Sequence, residues 1–494
     1  MRYLILILFT YVKCDPDYFA KRNRIVESEL RIALGGNMSL TSKENEVNNC
    51  LMRHKFDELD YAFNNPDNFG LSHHFFKYKD NIPKSKVYKI IKDMPKGAIL
   101  HIHDMAIIGP DYLLNITYMD NLYVCLGKQI SFLFSNKVPN TTCENRWELM
   151  SEVRRAAKNV TAFDAKIRKQ FTLVVKNPDI VYPTIKETWT AFGNFFSTVH
   201  PLLTYRPIWE KYFYDALKAF RDDNVYYVEV RSILPNLYEL DGTVFEKIVT
   251  AKAYKKAIHK FMRDYPDFVG AKLIFAPNRK VNRTILSEYI QTARQIKNSM
   301  PELFAGFDLV GQEDAGNPLI EFVPQLCAAT NLNFFFHAGE TNWFGTMTDE
   351  NLVDAVLLGA KRIGHAYALA KHPVLLEMVK EKQIGLEVNV VSNSVLSLVR
   401  DVRNHPLNIF LSLNLPVVLS SDDPGAWEAD PLSDDFYISF VGVASRLADL
   451  RVLKTLALNS LKYSALDPAA KTLAITHFHS KWNSFIENFD CRSY

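Results

Sequence analysis

The sequence predicts an α/β fold: a closed (β/α)8 barrel of the TIM type, with an N-terminal helical arm and an insertion after the first strand. Three observations carry this. Eight short apolar runs recur between residues 98 and 421, and most of the intervening segments have helical length and period. No Gly-rich phosphate loop follows the first run, which argues against a doubly wound open sheet. Histidines and carboxylates collect where the runs end, and such barrels hold their chemistry at the C-terminal ends of their strands.

Taken in order, the chain begins Met1-Arg2-Tyr3 and enters the run Leu4-Ile-Leu-Ile-Leu-Phe9. That run is too short to span a bilayer, which needs about 20 apolar residues. Arg2 gives a positive flank, and Val12 and Cys14 are small enough to precede a cleavage site. Residues 1–14 therefore read as a secretory signal peptide, with Asp15 as the mature start and an extracellular destination. No second stretch looks transmembrane. Five cysteines remain, Cys50, Cys125, Cys143, Cys327 and Cys491, an odd number that leaves at least one unpaired or bridging chains. Asn-x-Ser/Thr sequons at Asn37, Asn115, Asn140, Asn159 and Asn282 agree with a glycoprotein. The 494 residues suffice for one large domain with appendages. A formal charge of +3 gives no case for nucleic-acid binding.

Residues 15–85 form the helical arm. One amphipathic segment runs from Tyr18 to Leu34 and ends at Gly35-Gly36; a second runs from Asn48 to Phe63 and ends at Asn64-Asn65-Pro66. Such an arm packs on its own domain or on a partner. The barrel domain spans residues 86–494. Its first strand is Ala98-Ile-Leu-His101-Ile-His103-Asp104-Met-Ala106, after the turn Pro95-Lys96-Gly97. Residues 109–172 then read as a surface insertion stapled by one disulfide, with three sequons and both Cys125 and Cys143. Its basic end, Arg154 to Lys169, reads as a solvated helix face in preference to a polyanion patch. The remaining strands are Tyr226–Arg231, Ala271–Phe275, Ala305–Val310, Asn333–His337, Arg362–His365, Gly385–Val390 and Val417–Ser421.

The strand ends bring the chemistry. The first ends in His101, His103 and Asp104, the fifth in His337-Ala338-Gly339-Glu340, the sixth in Gly364-His365 and the eighth in Ser421-Asp422-Asp423-Pro424-Gly425. Residues two apart on a strand share a face, so His101 and His103 make half a metal site. The pair His477 and His479 has the same spacing but lies in a helical pattern, where such residues diverge. Three imidazoles and one carboxylate with an open position suit catalytic zinc, and the assigned ligands are His101, His103, His337 and Asp422. Glu340 is then free for proton transfer, and His365 can take or orient the proton of a bound water. No Lys ends the fourth strand, where two-metal relatives of this barrel carry one, so one Zn2+ per chain is expected. Neither a His-Glu-x-x-His helix nor a Pro-Cys-x-x-Cys pair occurs.

These motifs, with Met94-Pro-Lys-Gly97, Gly306-Phe-Asp-Leu-Val-Gly311-Gln-Glu-Asp314, Arg403-Asn-His405-Pro406 and Leu461-Lys-Tyr-Ser464, resemble the adenosine deaminases. More closely, the chain is similar to the secreted adenosine deaminase-related growth factor family, over nearly its whole length after the signal. The resemblance implies that Glu340 protonates purine N1 while hydroxide attacks C6. It implies that Asp423 accepts a hydrogen bond at N7 and that the Gly311 amide reaches N3. Asp104 and the stretch from Trp189 to Phe196 would lie on the ribose side. The arm would dimerise, and the insertion, with a Cys125–Cys143 bridge, would bind a cell-surface receptor or proteoglycan. The chain departs from the family at Ala366, where Gly is usual, at Asn389-Val390, where Cys-Pro is usual, and at Asn278, where His is common. The expected function is a secreted zinc-dependent adenosine deaminase that converts adenosine, and 2′-deoxyadenosine, to the inosine product and ammonia. The alternatives are a growth factor or receptor ligand using the barrel as scaffold, and a zinc hydrolase of the same barrel class with another substrate.

Overall fold

The computed structural model describes residues 17–494, so the signal-peptide expectation at residues 1–14 lies outside the described residues. The barrel is built from β1 (Gly97–His103), then, after the insertion strands β2 (Leu122–Leu126), β3 (Ile130–Phe134) and β4 (Trp147–Leu149), from β5 (Val225–Ser232), β6 (Gly270–Phe275), β7 (Phe304–Phe307), β8 (His337–Ala338), β9 (Arg362–His365), β10 (Gly385–Val388) and β11 (Val417–Leu419). Two four-stranded parallel sheets form, in the orders β1-β5-β6-β7 and β11-β10-β9-β8. Parallel bridges Phe307↔Phe334 and Ile102↔Asp422 join their edges and close the ring. Every residue of β5 is buried, as expected of a strand covered by side chains within and helices outside.

Several strands end earlier than their sequence expectations, β7 at Phe307, β10 at Val388 and β11 at Leu419, and β1 and β8 differ further. β1 stops at His103, and Asp104 begins a tight helical turn that lifts it onto the rim. The fifth barrel strand keeps a regular ladder only at His337–Ala338. The preceding Phe-rich stretch is extended and bonded on both sides: the Phe335 N–H donates to Phe307 O and the Gly364 N–H to Phe336 O. Gly306 permits this close approach, because a Cβ there would lie 2.4 Å from Asn333 O.

In the arm, α1 (Tyr18–Ile32) buries no residue, whereas α2 (Ser42–Asn64) buries Val47, Cys50, Leu51 and Met52. The second helix starts earlier than its apolar pattern suggests. Thr41 and Glu44 form a reciprocal capping box, with the Glu44 N–H to Thr41 Oγ1 at 3.2 Å and the Thr41 N–H to Glu44 Oε2 at 2.8 Å.

The insertion carries a three-stranded antiparallel sheet, β3-β2-β4, whose apolar residues Val124, Phe132 and Phe134 join the main core. The Cys125–Cys143 bridge is present. A second bridge links Cys50 to Cys491, and Cys327 is exposed and free. The basic end of the insertion is only in part a solvated face. Arg154 is buried and donates to Asp164 and to Thr117 O, and Arg168 bridges Asp111 and Glu428. His477 and His479 sit on the helix Pro468–Glu487, away from the barrel mouth.

Candidate active site

The site is built upward from charges buried in the barrel. Alternation along β5 points Glu229 and Arg231 into the barrel, where β7's successor Asp308, Arg362 on β9 and Glu387 on β10 meet them. All five are at most 1% exposed. Arg231 donates from Nε to Asp308 Oδ2 at 2.8 Å and from Nη2 to Glu387 Oε2 at 2.6 Å. Arg362 joins Glu387 to Glu229. A buried charge is tolerated only when paired in this way.

The same two carboxylates hold two histidines. His101 Nδ1 lies 2.8 Å from Glu387 Oε2, and His337 Nδ1 lies 2.7 Å from Asp308 Oδ2. A carboxylate held ionised by an arginine accepts from an imidazole N–H. Each Nδ1 therefore carries the proton, and each Nε2 presents a lone pair. Burial pushes the His337 pKa down to about 3, so its ring is neutral. Burial would raise Asp308 and Glu387, but Arg231 and the histidines outweigh it and hold both carboxyls well below the usual range.

At the level above, His101 Nε2 and His103 Nε2 lie 3.2 and 3.1 Å from the same oxygen, Asp422 Oδ1. Adjacent ligands of a tetrahedral zinc with bonds of about 2.0–2.1 Å stand about 3.3 Å apart. His101 Nε2 and Asp422 Oδ1 are both buried without a hydrogen-bond partner, while Asp422 Oδ2 accepts from Ser392 Oγ at 2.7 Å. Unpartnered nitrogen and oxygen donors aimed at one point fit a cation. Ligand atoms of His101, His337, His365 and Asp422 lie within 4.8 Å of one another, and those of His103, Asp422 and Asp423 form a second group sharing Asp422. His365 thus lies as close as a ligand. Its Nε2 instead faces the other oxygen, Asp422 Oδ2, at 3.8 Å.

Asp422 and Asp423 reach the mouth together because the backbone turns at Asp422 itself, with φ +60°. The strand has already ended at Leu419, so the reversal does not wait for Pro424. An Asp tolerates the left-handed region better than most residues.

Above this cluster opens a cavity of about 520 Å³. Asp104, Trp189, Gly311, Glu340 and Asp423 line it, whereas Ala191, Asn194 and Phe195 of the stretch expected at the ribose face elsewhere. Trp189, Phe192 and Phe196, from the helix Ile185–Leu203, give it an apolar wall. The Asp104 carboxylate accepts from Tyr254 at 2.7 Å, and burial raises its pKa to about 6. Burial, then the charges of Asp422 and Glu313, lift Glu340 well above the carboxylate range. Burial and Asp422 do the same to Asp423, whose Oδ1 has no partner.

The adenosine deaminase family profile matches residues 168–478, and the adenosine/AMP deaminase N-terminal profile matches residues 7–91. The chain belongs to the adenosine deaminase family. An adenosine deaminase from Aedes albopictus is 43% identical over 94% of this chain and 88% of its own length. Adenosine deaminase 2 from Homo sapiens is 37% identical over 94% and 92%. Solved members of the wider fold are more distant. An Arabidopsis N6-mAMP deaminase superposes with a TM-score of 0.56 at 17% identity, covering 79% of this chain and 99% of the other. A zinc-bound amidohydrolase from Burkholderia ambifaria gives 0.52 at 16%, covering 81% and 94%.

Against this family's pattern, Ala366 takes φ +49°, the conformation for which Gly is the usual residue. Asn278 lines the cavity, and its amide would touch a Cβ placed on Gly311 at 3.0 Å. Sequence reading missed the ring of Arg231, Asp308, Arg362 and Glu387, and also Glu313, which accepts the Gly339 and Glu340 amides at 3.1 and 2.5 Å. The available signal was a charge inside an otherwise apolar strand, in Tyr-Tyr-Val-Glu-Val-Arg231 and Gly385-Leu-Glu-Val.

Proposed function

We propose that the chain is a secreted, zinc-dependent adenosine deaminase that hydrolyses adenosine and 2′-deoxyadenosine. The observation that carries this is a buried Glu340, its carboxyl pushed up by burial and by the charge of Asp422, beside a histidine and aspartate cluster in a cavity with an apolar wall. His101, His103, His337 and Asp422 would hold one Zn2+. When bound, the metal would bring the pKa of a water from 15.7 toward about 7 and so supply the nucleophile at neutral pH.

The residues of the chain do the rest. Trp189 and Phe192 shelter the nucleoside from solvent. Glu340 gives its proton to N1, which breaks ring conjugation and readies C6 for attack by the water oxygen. The proton left on the new C6 hydroxyl passes to the amino nitrogen, the C6–N bond breaks and ammonia leaves, giving inosine. N7 bears a lone pair and no hydrogen, so Asp423 must donate to it. Its raised pKa supports a protonated donor, the reverse of the direction expected from sequence. His365 orients the attacking water. Gly311 offers its amide toward N3, and Asp104 lies toward the ribose.

Three surface features support the wider reading. All five sequon asparagines are exposed. Two disulfides suit an oxidising compartment. Along α1, Tyr18, Phe19, Ile25 and Ile32 are exposed, which suits an arm that covers them against a second copy of the chain. The insertion remains the proposed site for a receptor or proteoglycan. An inert barrel serving only as a receptor ligand is disfavoured by the candidate metal cluster and Glu340 bordering one cavity.

The test is loss of adenosine absorbance on adding purified protein, with guanosine and cytidine as controls. Glu340→Gln keeps the shape but cannot transfer the proton. It should retain the metal while kcat falls by about 10²–10⁴-fold. Turnover within tenfold of the parent would remove Glu340 from the reaction.

A further inference from the structure

Behind His365, two buried side chains, Asn393 and His405, form a hydrogen-bonded chain that the proposed chemistry does not use. The Leu407 backbone N–H points at His405 Nδ1, 3.0 Å away. A backbone amide can only donate, so this Nδ1 accepts and bears no proton. His405 is fully buried, and burial pushes its pKa down to about 3, so the ring is neutral and its one proton is on Nε2. That proton is donated to Asn393 Oδ1 at 2.9 Å. With its oxygen occupied, Asn393 turns its amide nitrogen to His365 Nδ1 at 3.1 Å. An amide N–H2 can only donate, so His365 Nδ1 accepts in turn. The Tyr367 ring stands perpendicular against His405 at 5.4 Å. Asn393 and His405 are both 0% exposed, so no water competes for these bonds.

We propose that His405 and Asn393 are positioning residues that hold His365 as its Nε2–H tautomer, so that His365 donates a hydrogen bond to the attacking water oxygen and does not take its proton. The backbone N–H of Leu407 fixes the polarity of the whole chain. The tautomer stands on hydrogen-bond geometry alone; the role in attack rests on the deaminase reading. It also accounts for a discrepancy within the cluster. His365 falls in one group of possible ligand atoms with His101, His337 and Asp422, yet a nitrogen that bears a proton cannot bind a metal. His101 and His337 differ because carboxylates hold the proton at Nδ1 and leave Nε2 bare.

Two measurements on the zinc-loaded full chain test this. In protein labelled with 15N-histidine, long-range proton–nitrogen spectra report which ring nitrogen carries the proton. Nε2–H is expected for both His365 and His405, and a protonated Nδ1 on His365 overturns the proposal. Asn393→Asp presents oxygens to both imidazoles, which should move the His365 proton to Nδ1. Zinc content and KM should stay within about twofold while kcat falls at least about tenfold. His405→Ala should lose kcat in the same way, and His405→Gln, whose amide can accept from Leu407 and donate to Asn393, should restore part of it. An unchanged kcat in Asn393→Asp with the proton moved would refute the donor role. A wild type with the expected tautomer but no adenosine turnover would refute the deaminase reading and leave the tautomer standing.

Discussion

The floor of the barrel mouth and the outer face of the arm invert the usual arrangement of a folded chain in opposite ways. Beneath the mouth, Glu229, Arg231, Asp308, Arg362 and Glu387 are charged and buried. On α1, Phe19 is 74% exposed and Ile25 63%. Buried charge and exposed apolar surface are the two departures that carry information. The buried charges satisfy one another, and Arg231 alone ties together the carboxylates behind two of the metal-facing imidazoles. Their effect is directed inward, at the tautomer and aim of the rings they hold. Among the described residues the apolar groups of α1 are left exposed, so their effect is directed outward.

The contrast can be broken at four places, in decreasing order of effect. Glu387→Ala takes one carboxylate partner from each of Arg231 and Arg362, strips His101 Nδ1 of its partner in a dry interior, and should cost about 3–5 kcal/mol of stability. A melting temperature within a degree of the parent would make the ring incidental. Asp422→Asn should weaken metal retention, by at least the roughly 10–100-fold expected of a lost supporting group. Asp423→Asn should keep the metal and lose turnover. The opposite pattern of zinc content would exchange their roles. Replacing Phe19 and Ile25 together by Ser should shift the protein from dimer to monomer in sedimentation. The barrel itself should change by no more than about 0.5 kcal/mol, as for other surface substitutions. A dimer that survives would place the interface elsewhere. Ala366→Gly relieves a Cβ at φ +49°, which costs about 1–2 kcal/mol, but adds freedom to the unfolded chain. The net should be a gain of up to about 1 kcal/mol in thermal unfolding, and a loss would show that Ala366 is held by packing.

The eight-strand order and the residues at the mouth were legible because both leave local marks. Apolar runs recur at the spacing of β/α units, and His101-Ile-His103 declares its shared face within three residues. The supporting ring was not legible for a reason of distance. Glu387 contacts Arg231 across 156 positions, and a charge inside an apolar strand marks each member without saying which distant partner meets it. At Asp423 sequence supplies the residue type and not the state of its carboxyl, which burial and the neighbouring Asp422 push up. The early start of α2 is the same lesson at short range. Thr41 and Glu44 cap one another, a signal that the apolar period does not contain.

The Cys50–Cys491 bridge joins residues 441 apart, so most of the chain is a single covalent ring. The barrel, the insertion and the mouth all lie within that ring. A protease that cuts any one exposed loop there opens the ring but releases nothing. Both pieces stay attached through the bridge, the severed ends remain packed against the core, and the half-sites that meet at Asp422 stay opposed. In an extracellular setting, that makes loss of the enzyme a matter of two cuts or of one cut with reduction.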